Sequence, residues 1–392
     1  MNVGTVVRGI RTPVIKEGDN LEDIVIDSLL KAKESEGFNF DDKDVVAITE
    51  AVVGISQGNY ATLDNIKTDI KRKLKSDHIG VVYPILSRNR FAVLLSAIAR
   101  STKKITMLLS FPSDEVGNDI LYKEDLEKNN FNLNSVISEK EYNKYFSHFK
   151  HLFTGVNMVE FYRDLCKKEN CEIEFVFSNN PETILNYTKD VLVANIHDRF
   201  DTKKRLSKKD TNILLLSEIM SESINGSGYN KDYGLLGSNR STEEKVKLFP
   251  KDGDILVNNI QKKLKKLTGK NIEVMIYGDG AFKDPIGKIW ELADPVVSPA
   301  YTKCLEGSPN EIKLKYFSEN KFKGLSGDKL NNAIKEEIKN KEKELKGQMA
   351  TQGTTPRRYT DLLGSLCDLT SGSGDKGTPV VYIKGYFKNY SD

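Results

Sequence analysis

Apolar residues in this chain come in two rhythms. Short, nearly unbroken apolar runs occupy residues 44–49, 78–85, 104–112, 171–178, 191–196, 271–277 and 378–387. Runs of this length, rich in Val, Ile and Phe, predict strands buried on both faces. Between them lie stretches whose apolar residues stand three and four apart. Residues 21–33 place Leu21, Ile24, Val25, Leu29 and Ala32 on one face, with Asn20 or Asp19 as cap and Gly37 as a stop. Similar spacing predicts helices over 87–104, 157–169, 180–190, 252–268, 328–346 and 360–369. Residues 50–60 carry Gly54 and Gly58, which we read as interrupting any regular element. The stretch 227–240 reads as a loop between two helical segments. From 78 to about 200 strand and helix alternate, so this part is expected to be an α/β insertion, 78–206, with a partly parallel sheet.

Composition narrows the classes. Of 392 residues, 38% are hydrophobic and 29% charged, enough apolar side chains to offset the entropy of ordering a globular chain. Lys and Arg total 59 against 56 Asp and Glu, a net charge of +3, too balanced to point to nucleic acid or an anionic membrane surface. No apolar run approaches the roughly 18 residues of a membrane span, and the first residues lack a signal-peptide core. Cys166, Cys171, Cys304 and Cys367 are too few and too scattered for a disulfide framework. The expectation is a cytoplasmic protein that acts on small molecules.

Candidate chemistry gathers in the loops. Strand 271–277 runs straight into Gly278, Asp279 and Gly280, presenting one carboxylate at its tip. Such a group suits Mg²⁺ or Mn²⁺ held against substrate phosphates, and a plain Asp-Gly turn accounts for the same residues. Residues 371–377 contain Gly372, Gly374 and Gly377 at dinucleotide-loop spacing, but a helix precedes and a strand follows, the reverse of that motif. The loop can still form an anion-binding nest with Lys376, or be a simple connection. Ser238 and Asn239 suit a helix cap or a polar ligand contact, and Arg240, Arg357 and Arg358 suit an anion clamp or a solvated surface. Residues 87–90, Ser-Arg-Asn-Arg, fall at a strand-to-helix turn where α/β sheets bind ligands, though helix capping explains them equally. His148, His151 and His197 lack the register of a zinc site.

Three stretches in order, 8–25 with 41–59, 234–282 and 360–385, resemble the F420-0:gamma-glutamyl ligase family: its early loops, its Asp-x-Ser-Asn loop, its strand ending in a metal-binding Asp and its last nucleotide loop. The resemblance implies an α+β fold, a mixed-sheet core built from residues 1–77 and 207–392 and interrupted by the insertion. It also implies a homodimeric, GTP-dependent amide ligase that joins L-glutamate to a small-molecule carboxylate through an acyl phosphate. Residue by residue, it implies Asp279 as metal ligand for Mg²⁺ or Mn²⁺. It further implies nucleotide contacts at Thr12, Pro13, Val14, Ile15, Glu50 and Asn239, and at Ser371, Gly372, Ser373, Gly374, Asp375, Lys376 and Gly377. Three positions depart from the family pattern: Leu236 stands in place of an Asp, Ile55 in place of a Lys, and Gly280 in place of a hydroxyl residue. Asp232, Arg240 and Arg357 are candidates to replace the missing charges. A noncatalytic nucleotide- or cofactor-binding protein is the alternative. On a surface-loop reading, Asp279→Asn is expected to change stability by no more than about 1 kcal/mol.

Overall fold

The computed structural model describes residues 3–152, 154–280, 294–351, 354, 357–371 and 375–391. Five strands form the first sheet, in the order Val6–Ile10, Val380–Lys384, Val45–Thr49, Glu273–Tyr277, Ala300–Tyr301. Only Val45–Thr49 and Glu273–Tyr277 run parallel, in register from Val45 opposite Glu273 to Thr49 opposite Tyr277. Alternate side chains of one strand face opposite ways. Val46 and Ile48 therefore meet the helices Leu21–Glu36 and Gly253–Thr268, whereas Val45 and Ala47 meet helix Tyr359–Ser371. Both faces are covered, which is why the strand reads as unbroken hydrophobicity.

The second sheet has six strands, in the order Ile137–Ser138, Glu172–Phe177, Lys104–Leu109, His78–Val82, Asp190–Val193, Asn212–Leu215. All run parallel except Ile137–Ser138. From His78–Val82 the chain steps outward twice on one side, then returns to build the other side. This is a doubly wound sheet, with its switch point between His78–Val82 and Asp190–Val193. Helices Phe91–Ser101 and Met158–Lys168 pack on one face, and Arg199–Leu206 with the short turn Pro181–Asn186 on the other. Its last strand lies beyond residue 206. A small third sheet, Asn239–Arg240, Lys245–Lys247, Tyr60–Thr62, links the two larger ones. The mixed first sheet with its flanking helices makes the fold α+β, as expected.

Several local expectations need correction. Residues 50–60 are not broken at Gly54: Glu50–Ser56 is helical, and a Cβ at Gly54 would sit 3.1 Å from the Leu248 carbonyl oxygen, a tight contact that glycine avoids. The stretch 227–240 is flanked by the turn Leu216–Glu218 and by strands, not by two helices. The helix expected over 328–346 spans Gly327–Lys339, and Leu345 instead closes a small apolar cluster with Ile312, Phe317, Ile334 and Ile338. Among the described residues, no helix is long and apolar enough to cross a membrane.

Candidate active site

The parallel pair of the first sheet ends in acids on both strands. Glu50 follows Thr49 directly, and Asp279 follows Tyr277 by two residues. Gly278 between them is forced: a Cβ there would collide with the Asp294 carboxylate and come within 3.6 Å of Glu50 Cγ. The Asp279 backbone N–H donates to Asp294 Oδ2 at 2.7 Å, and the Gly280 N–H donates to Asp368 Oδ2 at 3.2 Å. Four carboxylates, Glu50, Asp279, Asp294 and Asp368, thus gather at the strand tips.

Two cations answer them. Lys247 pairs with Glu50 at 2.5 Å, both side chains at most 7% exposed. Arg90, from the turn after strand His78–Val82 of the second sheet, donates through one terminal nitrogen to Asp294 Oδ1 at 2.7 Å and through the other to Asp279 Oδ2. With four acids against two bases among the described residues, charge is costly here. Burial, with Asp294, pushes the Asp279 carboxyl up to about 7, Arg90 opposing the rise and Asp368 and Glu50 adding to it. Burial also raises Glu50, against Lys247, and raises Asp368, against its bond from Gly280. For Arg90 burial works the other way, but Asp294 and Asp279 outweigh it and hold the guanidinium firmly charged.

Open space flanks Asp279 on two sides. One cleft of about 750 Å³ is lined by Ser87, Arg88, Asn118, His151, Arg240 and Asp279, with an apolar wall that includes Met158 and Phe161. Among the described residues neither Arg88 nor Arg240 has an acidic partner. Burial and the nearby Arg88 lower the His151 pKa, while His148 bonds Asp125 at 2.8 Å outside the cleft. The other cleft, about 710 Å³, is lined by His197, Asp279, Asp294, Arg357 and Arg358. Arg240 and the Arg357–Arg358 pair, read from sequence as anion clamps, therefore line two different clefts that both reach Asp279.

A third cavity, about 890 Å³, brings together Arg8, Arg11, Thr12, Pro13, Lys31, Glu36, Thr370, Lys376 and Thr378. The Thr12 N–H donates to the Gly377 carbonyl at 3.2 Å, so the early and late segments join directly. Not every expected contact gathers there. Ile15 is buried in the apolar core, Val14 is 85% exposed, and Glu50 and Asn239 lie with the acid centre and the small third sheet. Ser371 ends its helix and accepts from the Thr378 hydroxyl at 3.0 Å, and Asp375 is an exposed turn residue. Gly372, Ser373 and Gly374 lie outside the described residues.

The oxygen donors of Asp279, Asp294, Asp368 and Glu50 are the kind that Mg²⁺ or Mn²⁺ prefers. Yet Arg90 holds Asp279 and Asp294, and Lys247 holds Glu50. Among the described residues no group of three or more His, Cys, Asp or Glu side chains is set to hold a metal ion. These described residues do not form a ready cage for a metal. The sequence places Arg90 in a turn that suits an anion but gives no sign of Asp294, because nothing local names a partner about 200 residues away. A comparison with curated proteins finds no match to the chain. The F420-0:Gamma-glutamyl ligase family model matches residues 9–385, running through both large sheets, and on a match of that extent the chain belongs to this family of ligases.

Proposed function

We propose that the protein is a GTP-dependent amide ligase, joining L-glutamate or another amine to a carboxylate of a phosphorylated small molecule. The observation that carries this reading is the cavity where residues 8–13 meet residues 376–378. Its lining holds Arg8, Arg11, Lys31 and Lys376 against one carboxylate, Glu36, a surplus that suits a polyphosphate. Helix Tyr359–Ser371 connects this cavity to the acid centre, with Thr370 at the cavity and Asp368 bonded to Gly280 one half-turn earlier.

In this reading the acceptor's carboxylate oxygen attacks the γ-phosphorus, and GDP leaves with the electrons of the broken P–O bond. The amine nitrogen then attacks the acyl carbon, and inorganic phosphate departs. A proton must leave the amine, and Asp279, with its pKa near 7, has a proton affinity matched to that task. Arg88 and Arg240 hold the acceptor's anionic group, and Arg357 and Arg358 the carboxylates of glutamate. A divalent ion, Mg²⁺ or Mn²⁺, would be supplied by the nucleotide as the counter-ion of its phosphates, and not by the acid centre.

Leu236, 2% exposed where the family resemblance expects an acid, favours a second reading, a noncatalytic nucleotide-binding protein. Thermal-shift measurements with GTP, ATP and GDP, with and without Mn²⁺, come first, since a ligand of the folded state raises the melting point. A shift with GTP, followed by phosphate release that needs both an amine and a carboxylate acceptor, is the expected result. Binding without release favours the second reading. No shift with any nucleotide sinks both.

A further inference from the structure

Arg90 is unusually well fixed for an arginine. Its turn is pinned by three bonds: the Arg90 N–H donates to Ser87 Oγ at 3.1 Å, the Ser87 N–H to the Tyr162 hydroxyl at 2.9 Å, and the Arg240 N–H to the Asn89 carbonyl at 2.8 Å. The guanidinium, 14% exposed, spans two carboxylates that belong to the other large sheet. Asp294, 1% exposed, is fully committed, one oxygen to Arg90 and the other to the Asp279 N–H. Leu236 lines a small apolar cavity together with Arg90 and Ser238. At the position where the resemblance expects an acid, then, this chain has a buried hydrocarbon, and beside it a guanidinium. An acid at 236 would add a further carboxylate beside Arg90, whereas leucine adds none, and the guanidinium spans Asp279 and Asp294 with one terminal nitrogen to each.

We propose that Arg90 is the resident cation of this centre, holding Asp279 and Asp294 in place of a divalent ion, so that the chain alone takes up such an ion at Asp279 only by displacing Arg90. Its use to the enzyme rests on the ligase reading, since a fixed positive charge there faces the transferring phosphoryl oxygens. The competition itself does not, and is measured without nucleotide.

Mn²⁺ is titrated into the full chain at pH 8, where Asp279 is ionised, and free Mn²⁺ is read by electron paramagnetic resonance. Arg90→Met is expected to bind Mn²⁺ at least about tenfold more tightly than the native chain, the scale of one close charge pair. Adding Asp279→Asn to it removes the gain. Arg90→Lys, whose single ammonium cannot span both carboxylates in the same fork, falls between and carries the test if Arg90→Met does not fold. Unchanged or weaker Mn²⁺ binding in the Arg90 variants, or a gain that survives Asp279→Asn, overturns the proposal. Failure of GTP to shift the melting point, with the Mn²⁺ gain intact, strikes the ligase reading and leaves Arg90's role standing.

Discussion

Gly278 and Asp294 are fitted to each other, because the space a Cβ would take is filled by the Asp294 carboxylate, itself locked between Arg90 and the Asp279 N–H. Gly278→Ala must therefore push out a buried, bonded acid, at a cost of about 1–3 kcal/mol in urea unfolding; a change below 0.5 kcal/mol, within the ordinary range of surface substitutions, would mean that this packing is loose. Asp279 is part-buried, its side chain 30% exposed, and to the expectation that Asp279→Asn changes stability by no more than about 1 kcal/mol the structure adds a pH effect. Its carboxyl titrates near 3.8 unfolded and near 7 folded, so the folded chain holds the extra proton between those values. The stability it contributes is complete below about 3.8 and is lost as pH rises through 7. Glu50 and Asp368, also raised, act in the same direction. The unliganded protein should thus melt higher at pH 6.5 than at pH 8, and Asp279→Asn should flatten that slope. An equal slope in native and variant chains would remove Asp279 as its source.

Helix Glu50–Ser56 meets strand Lys245–Lys247 through one buried ion pair and one glycine. Glu50 and Lys247 are almost wholly out of water, and Gly54 lets the helix backbone approach Leu248. Lys247→Met leaves a buried carboxylate without its partner among other acids, and should cost about 3–5 kcal/mol by thermal or urea unfolding. Adding Glu50→Met should recover most of that loss, because the desolvation cost goes with the pair; a double variant as unstable as the single one would show that Glu50 serves another contact. These elements also mark where the sequence stopped being legible. Periodicity found the strand Val45–Thr49 and the helices Leu21–Glu36 and Gly253–Thr268, since each buries a face whose pattern lies within a few residues. It missed helix Glu50–Ser56, where a glycine that looks like a breaker answers a neighbour almost 200 residues away. It could not supply strand order either, because parallel pairing leaves no trace in either strand alone.

In the molecule as a whole, the carboxyl ends of the doubly wound sheet are turned toward the acid-tipped strands of the mixed sheet, and Arg90 crosses between them. That arrangement separates two kinds of binding. Helix Tyr359–Ser371 carries Thr360 and Asp361 into the cleft beside Asp279 and Thr370 into the cavity with Thr12 and Lys376, about 15 Å apart at the rise of an α-helix. A nucleotide seated near Lys376 and an acceptor seated near Arg240 would then touch different side chains and converge only at the acids. The consequence can be read in kinetics. Lys376→Gln should weaken GTP binding by up to about tenfold, the worth of one charge-assisted contact, and leave the acceptor's KM unchanged. Arg240→Gln should raise the acceptor's KM by a similar factor and leave the GTP affinity unchanged. Neither side chain has an acidic partner among the described residues, so neither substitution strands a buried charge, and both variants should melt within about 0.5 kcal/mol of the native chain. If both changes fall on the same ligand, nucleotide and acceptor share one cavity, and the division of labour between the two sheets is wrong.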